Sequence, residues 1–164
     1  MHNKKESSSQ PNGFKVSYEV RETSDGRGKG LYATHAIPKG TLIWKYGPNN
    51  IRCFQGGQQV QSHLATISTD DDRRYWLSHI FCFNGSAIEI LDDGKLWNHS
   101  HDPNTGSEPR LDGDSESSYA TRDIAAGEEL LDDYGTYEYP DWLLGLYEEY
   151  QIDTLSFVDI KANN

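Results

Sequence analysis

The apolar residues of this chain arrive only in short runs, and this limits the fold more than any other feature. "FKVSYEV", "LYATHAI", "TLIWKY", "IFCF" and "AIEIL" are each four to seven residues long and end in glycine, proline or polar turns. Runs of this length fit strands, whereas helices usually need 10–12 residues or more. Phe14, Val16, Tyr18 and Val20 alternate with polar residues, which predicts a half-buried strand. "SDGRGKG" holds three glycines in seven residues, a loop that demands unusual backbone angles. Pro38-Lys39-Gly40 separates two further strands. Asn84-Gly85, between "IFCF" and "AIEIL", is the strongest hairpin signal present. "SSYATRDI" and "EELLDDY" flank a turn at Ala126-Gly127. Residues 55 to 80 are mixed, with a helix expected around 70 to 78. After Pro140, "DWLLGLYEEY" predicts a helix with Trp142, Leu143, Leu146 and Tyr150 on one face.

The sum is a mainly β chain with a few short helices. At 164 residues one folded domain is expected. A chain of that size buries roughly 70% of its unfolded surface without staples. Residues 1–12 read as a disordered polar tail, 13–138 as the folded body, and 139–164 as a helical segment that packs on or covers the site. Residues 105–118 read as a polar loop.

Charge narrows the partners. The net charge is −11, and the acidic residues cluster, as in Asp70-Asp71-Asp72 and Asp132-Asp133. Such a surface repels phosphate backbones, so direct nucleic-acid binding is not expected. It attracts cationic partners such as Lys/Arg-rich peptides, or it simply keeps the chain soluble. Cys53 and Cys82 form no Cys-x-x-Cys pair, which argues against a disulfide scaffold and a thiolate zinc site. No apolar run approaches about 18 residues, so no membrane helix is expected. The polar start carries no secretory signal, which points to a nuclear or cytoplasmic protein. A monomer is expected.

Three separated segments carry the chemistry. They are "GRGKGLYA" (26–33), "WNHSHDPN" (97–104) and "TRDIAAGEELLDDYG" (121–135). Each alone is weak: the first can be a plain turn, the second a polar loop, the third a turn into a strand. His99 and His101 also suggest a metal pair, but no third ligand stands at an obvious spacing, and no metal is expected. His35, His63 and His79 read as ordinary surface or core-edge histidines.

In their order and spacing the three segments resemble the SET-domain protein lysine methyltransferases, over about residues 26 to 135. The resemblance implies a fold of small sheets with a C-terminal pseudoknot, and S-adenosylmethionine as cofactor. It implies that Gly28, Lys29, Gly30 and Leu31 hold that cofactor through main-chain contacts, glycine letting the backbone come close. Asn98 and His99 bind its amino acid head and adenine edge, and Pro103 and Asn104 fix the turn. Tyr134 matches the catalytic tyrosine, whose hydroxyl aligns the target amine. Tyr46 resembles a tyrosine lining the lysine channel, or is an edge-strand tyrosine; Trp44 reads as core.

Two departures stand out. The cysteine-rich zinc segment that often follows the catalytic tyrosine is replaced by "TYEYPDWLLGLYEEY". Trp142 is the residue expected to pack on adenine there, or on the core as part of a helix face. Asp132 stands where the family commonly has an aromatic that tunes how many methyls are added. It either faces inward, holding water or the substrate ammonium, or extends the acidic surface. The implied activity is methyl transfer to lysine in a basic protein, plausibly a histone tail. A non-histone substrate, or a SET-like binding module with weak catalysis, are the alternatives.

Overall fold

The computed structural model describes residues 12–107 and 116–154. Residues 1–11 of the expected tail, the middle of the expected 105–118 loop and the last ten residues lie outside the described part. Ten short strands and three helices are found there, in four small sheets. β1 (Tyr18–Glu22) pairs antiparallel with β2 (Lys29–Ala33) across the glycine-rich loop. β3 (Leu42–Trp44) joins a three-stranded sheet with two later strands. β4 (Ile51–Phe54) is followed by α1 (Gly56–Leu64) and α2 (Asp70–Leu77). β5 (Ile80–Phe83) and β6 (Ser86–Ile90) form the hairpin, and β4 adds to its other edge. Asn84 and Gly85 both have positive φ, 49° and 75°, as the tight hairpin turn requires.

β7 (Asn98–His99), β8 (Thr105–Gly106), β9 (Ser118–Ala120) and β10 (Leu131–Asp132) are two or three residues long. β3–β9–β8 make one sheet; β7 and β10 pair in parallel, Leu131 beside Asn98 and Asp132 beside His99. α3 (Asp141–Glu149) follows Pro140.

The alternation over 14–20 did not become one half-buried strand. Lys15 N–H donates to the Ile43 carbonyl and Lys45 N–H to the Gly13 carbonyl, so this stretch first runs beside β3. Only Tyr18 onward pairs with β2, as an edge strand with Val20 left exposed. α1 was not foreseen. Its sequence opens on two glycines and buries only Val60 and Leu64, too little for a visible period.

α2 falls where a helix was expected, for clear local reasons. The Thr69 hydroxyl accepts the Asp72 N–H at 3.1 Å as an N-cap, and Asp70, Asp71 and Asp72 occupy the positive end of the helix. Part of the acidic clustering is therefore helix chemistry.

Two cores result. One lies under the three helices and includes Phe54, Val60, Leu77, Leu143, Leu146 and Tyr147. The other, built on β2, β3 and β9, includes Leu31, Ile43, Trp44, Ile124 and Leu130, with Trp97 at its margin. The α3 face is shifted slightly from expectation: Tyr147 is buried with Leu143 and Leu146, while Trp142 and Tyr150 pack at the side.

Candidate active site

The stretch "LWNHSHDPNTG" (96–106) and the segment 128–136 are locked together by main-chain and amide hydrogen bonds. Asn104 is fully buried. Its Nδ2 donates to the Glu129 carbonyl at 2.7 Å and its Oδ1 accepts the Leu131 N–H at 2.8 Å, so one side chain imitates a strand. Ser100 N–H donates to the Asp132 carbonyl at 2.9 Å. The Thr105 hydroxyl donates to the Leu131 carbonyl at 2.8 Å. A polar segment without apolar period can be ordered in this way, because its partners are another backbone rather than a core. These two segments are the ones the resemblance places in the pseudoknot.

Tyr134 is fixed at both ends. Its hydroxyl donates to the Trp97 carbonyl, and its backbone N–H donates to His99 Nδ1 at 3.1 Å. The Tyr139 hydroxyl holds its carbonyl at 2.8 Å. Burial raises the Tyr134 phenol above its ordinary range, with the Asp132 charge adding to the effect. It therefore stays protonated and donating.

Asn98 is held as firmly. Its Nδ2 donates to the Lys29 carbonyl at 3.1 Å and to Glu129 Oε1 at 2.8 Å. Glu129 Oε2 in turn meets the Arg27 guanidinium at 2.8 Å. Gly28 and Gly30 of the loop have distinct reasons. Gly28 has φ +89°, a conformation that L side chains rarely adopt. A Cβ on Gly30 would stand 2.4 Å from Glu129 Oε1 and 3.0 Å from Asn98 Nδ2, so only glycine lets β2 approach that pair. Leu31 is different: it is fully buried in the core, and its carbonyl accepts the Leu130 N–H at 2.8 Å. Its main chain serves the sheet, and it does not line a cavity with Gly28.

Three neighbouring cavities share walls around Trp97. The first, about 490 Å³, is lined by Arg27, Gly28, Lys29, Lys95, Asn98 and Tyr134, among others. Its charged side chains are cationic. The second, about 150 Å³, shares Lys95, Trp97 and Tyr134 with the first and adds Phe81, Asp132 and Tyr137. The third, about 340 Å³, shares Phe81, Trp97, Asp132 and Tyr137 with the second. It opens past Tyr46, Glu116 and Asp133, so its charge is acidic.

Asp132 thus faces inward. It accepts the Tyr137 hydroxyl on one oxygen and the Asp133 N–H, at 2.8 Å, on the other. Burial raises its carboxyl above the usual range, against the lowering effect of the Tyr137 hydroxyl. Burial also raises the Tyr137 and Tyr46 phenols. The Tyr46 hydroxyl lies 3.8 Å from Cys53 Sγ.

The fold therefore brings Gly28, Lys29, Asn98 and Tyr134 to one cavity, and Tyr46 and Asp132 to another. Gly30 supports the first from behind. His99 does not line any of the three; it holds Tyr134 by the backbone. Asp133 comes within 3.6 Å of His99 Nδ1, a neighbour to the His99–His101 pair that spacing did not reveal. Yet His99 Nδ1 already accepts the Tyr134 N–H, and Asp133 Oδ1 accepts the Gly135 N–H at 2.8 Å. We read the trio as a clasp on the Tyr134 turn.

Trp142 takes the core position, one of its two expected places. Its ring packs against Gly57 of α1, where a Cβ would sit 2.8 Å from it, in the helical core. Tyr75, His79 and Lys95 line the first cavity instead. His79 had read as an ordinary surface or core-edge histidine. The available signal was Tyr75 and His79 at i, i+4 on the end of α2, where their rings sit 4.1 Å apart.

The SET domain family model matches residues 28–135. This chain belongs to the SET-domain family. Apart from Gly26 and Arg27, the three segments that build the first cavity and the Tyr134 turn fall inside the SET match. An N-lysine methyltransferase of Danio rerio, KMT5A-A, is 30% identical over 120 residues, 68% of this chain and 33% of the relative. The chain spans about a third of that relative's length. Among solved structures, a Plasmodium falciparum protein described as a histone methyltransferase is 20% identical, with a TM-score of 0.48 over 72% of this chain and 92% of its own.

Proposed function

We propose that this protein transfers methyl groups from S-adenosylmethionine to the side-chain amine of lysine in a basic protein substrate. The observation that carries the reading is that Trp97 lines both a cationic cavity and an acidic one, and that a small cavity shares Tyr134 with the first and Asp132 and Tyr137 with the second.

The residues of the first cavity suit the cofactor. Both amide hydrogens of Asn98 are engaged inside the protein, which leaves its carbonyl oxygen to accept from an ammonium head. Arg27, Lys29 and Lys95 supply positive charge for a carboxylate. A Cβ at Gly28 would meet no protein atom within 4 Å, so the loop leaves open room for a ligand. When bound, S-adenosylmethionine supplies an electrophilic methyl group on a cationic sulfur.

The chain's own groups then prepare the amine. Lysine enters from the acidic side, drawn by Glu116, Asp132 and Asp133. Its amine must be neutral to attack, yet its reference pKa is about 10.4. Walls of Phe81, Trp97 and Tyr137 desolvate it and disfavour the charged form. The Tyr134 hydroxyl, its proton on the Trp97 carbonyl, offers oxygen lone pairs to an amine N–H. The amine's lone pair is then left for the methyl group, an alignment worth several kcal/mol of barrier.

A histone tail is the basic substrate we favour, since the net charge of −11 suits a cationic peptide and the Danio rerio relative is an N-lysine methyltransferase. The protein acts in this reading as a nuclear or cytoplasmic monomer. The test is mass spectrometry of a basic peptide array incubated with cofactor. Methylated lysine is expected. Tight cofactor binding without any product would instead make the protein a SET-like binding module.

A further inference from the structure

We propose that the Asp132 carboxylate is the base that takes the proton from the substrate's lysine ammonium. The inference rests on the function proposed above and adds a residue to it. Lysine reaches the site overwhelmingly as –NH₃⁺, so one N–H bond must break before the nitrogen can attack. The proton needs a named acceptor, and most groups around the wall are the wrong kind.

Tyr134 and Tyr137 are protonated phenols that donate, to the Trp97 carbonyl and to Asp132. Tyr46, Tyr139 and Tyr147 are phenols raised by burial, likewise protonated. Lys95 and His79 line the cationic cavity and the small one but not the acidic cavity, and His99 is turned to the Tyr134 N–H. Among the carboxylates, Glu116 and Asp133 line the acidic cavity only, while Asp153 lines only the small one. Among the described residues that line these walls, Asp132 is the one carboxylate shared by the small aromatic cavity and the acidic one. Its oxygens each hold a single donor in the hydrogen bonds described above, so each keeps acceptor capacity for an ammonium hydrogen.

The step balances simply. The ammonium N–H bond breaks, an O–H bond forms on Asp132, and the nitrogen keeps the electron pair. The neutral acid later returns its proton to water through the acidic cavity, past Glu116. Burial helps in two ways: it weakens the ammonium and strengthens the carboxylate as a base, bringing the two affinities together. Tyr137 holds the carboxylate in place during the exchange. A buried carboxylate held only by neutral donors is still costly, so an inward Asp132 also favours capture of the ammonium in the first place.

The experiment compares wild type with Asp132→Asn and Asp132→Ala on a methylated array peptide. Losing a general base costs roughly 10²–10⁴-fold in rate, and the expected fall in kcat lies in that range, with cofactor affinity by calorimetry unchanged. In wild type, kcat/KM should fall on acidification with a limb above the ordinary carboxylate range; Asp132→Asn should lack that limb. Formate or acetate should restore part of the rate to Asp132→Ala, where space has been opened, and not to Asp132→Asn. A readout independent of turnover is the carboxyl ¹³C signal of Asp132, assigned by its loss in the Asn variant. It should be ionised at about pH 8, between the reference carboxylate and lysine values.

A carboxyl protonated at that pH overturns the proposal, as does an Asp132→Asn enzyme with wild-type rate and an unchanged acid limb. A well-folded wild type that methylates nothing overturns the proposed function itself, whereas an active enzyme indifferent to Asp132 overturns only the proton assignment.

Discussion

The Tyr134 hydroxyl donates its hydrogen to the backbone carbonyl of Trp97, one residue before the Asn98-His99 strand. The tyrosine is therefore set by the same segment that supplies Asn98 to the first cavity. Its hydroxyl has a defined direction before any ligand arrives, and its oxygen lone pairs face away from the carbonyl.

Tyr134→Phe is expected to keep the fold and cofactor affinity and to lose turnover. The ring stays, so packing changes little. The Trp97 carbonyl loses a donor, a cost of about 1 kcal/mol where water can replace it. The amine loses its aligning partner, and a displacement near 1 Å can cost on the order of a hundredfold in rate. Single-turnover kinetics with parallel melting curves check this. Wild-type turnover in the variant would place the aligning group elsewhere.

Asn98→Ala and Glu129→Ala are expected to weaken cofactor binding in a coupled way. Asn98 reads the ligand, while Glu129 holds the Asn98 amide and the Arg27 guanidinium. Each hydrogen bond to the ligand is worth roughly 0.5–1.5 kcal/mol. Removing Glu129 frees the amide to turn, so the double variant should lose less than the sum of the single losses. Calorimetry on the four proteins of the cycle measures it. Simple additivity would show that the two side chains act separately.

Leu31→Ala separates packing from binding. A buried leucine cut to alanine costs about 2–5 kcal/mol, and Leu31 is fully buried. Denaturant unfolding should show that loss. Cofactor affinity of the folded fraction should stay close to wild type, because the Leu31 carbonyl still accepts from Leu130. A large loss of affinity at unchanged stability would restore Leu31 to the site.

How far the sequence reached depended on the kind of interaction. Local signals were readable: Asn84-Gly85 set a hairpin, Thr69 with three aspartates opened a helix, and Pro140 preceded another. The three motif segments held Gly28, Lys29, Asn98 and Tyr134, which meet at one cavity. Trp142 was left between two places because its core partner, Gly57, lies in a helix with almost no apolar period. Tyr75, His79 and Lys95 were missed because only the tertiary fold turns the end of α2 toward the glycine loop. Asp133 beside His99 depends on a parallel pair of two-residue strands, and no periodicity records that.

Chelation is expected to leave the protein untouched. His99 Nδ1 and Asp133 Oδ1 are already bound to backbone N–H groups, so a metal on those two atoms would have to displace both. Dialysis against a chelator should change neither the melting temperature nor methyl transfer. Activity lost on dialysis and recovered with zinc would show that the clasp is a metal site.

Acidification should loosen the Tyr134 turn through His99. Burial and the neighbouring His101 hold the His99 ring below its usual range, so it is neutral in the folded protein and accepts the Tyr134 N–H. The unfolded ring titrates near 6.5. Its proton therefore binds the unfolded chain first, and the stability contributed by neutral His99 is complete above about pH 6.5 and lost as pH falls through the lower folded value. His79, also lowered by burial, acts with the same sign. Asp132 acts with the opposite sign: its raised carboxyl takes up a proton first in the folded state, which adds stability as pH falls. Variants separate the three. Melting curves between about pH 7.5 and 5.5, on either side of the histidine reference value, should fall less steeply in His99→Gln and in His79→Gln than in wild type. Asp132→Asn should fall more steeply. An unchanged pH slope in His99→Gln would mean that the Tyr134 N–H is held equally well by a protonated ring's surroundings, and that the clasp does not depend on a neutral His99.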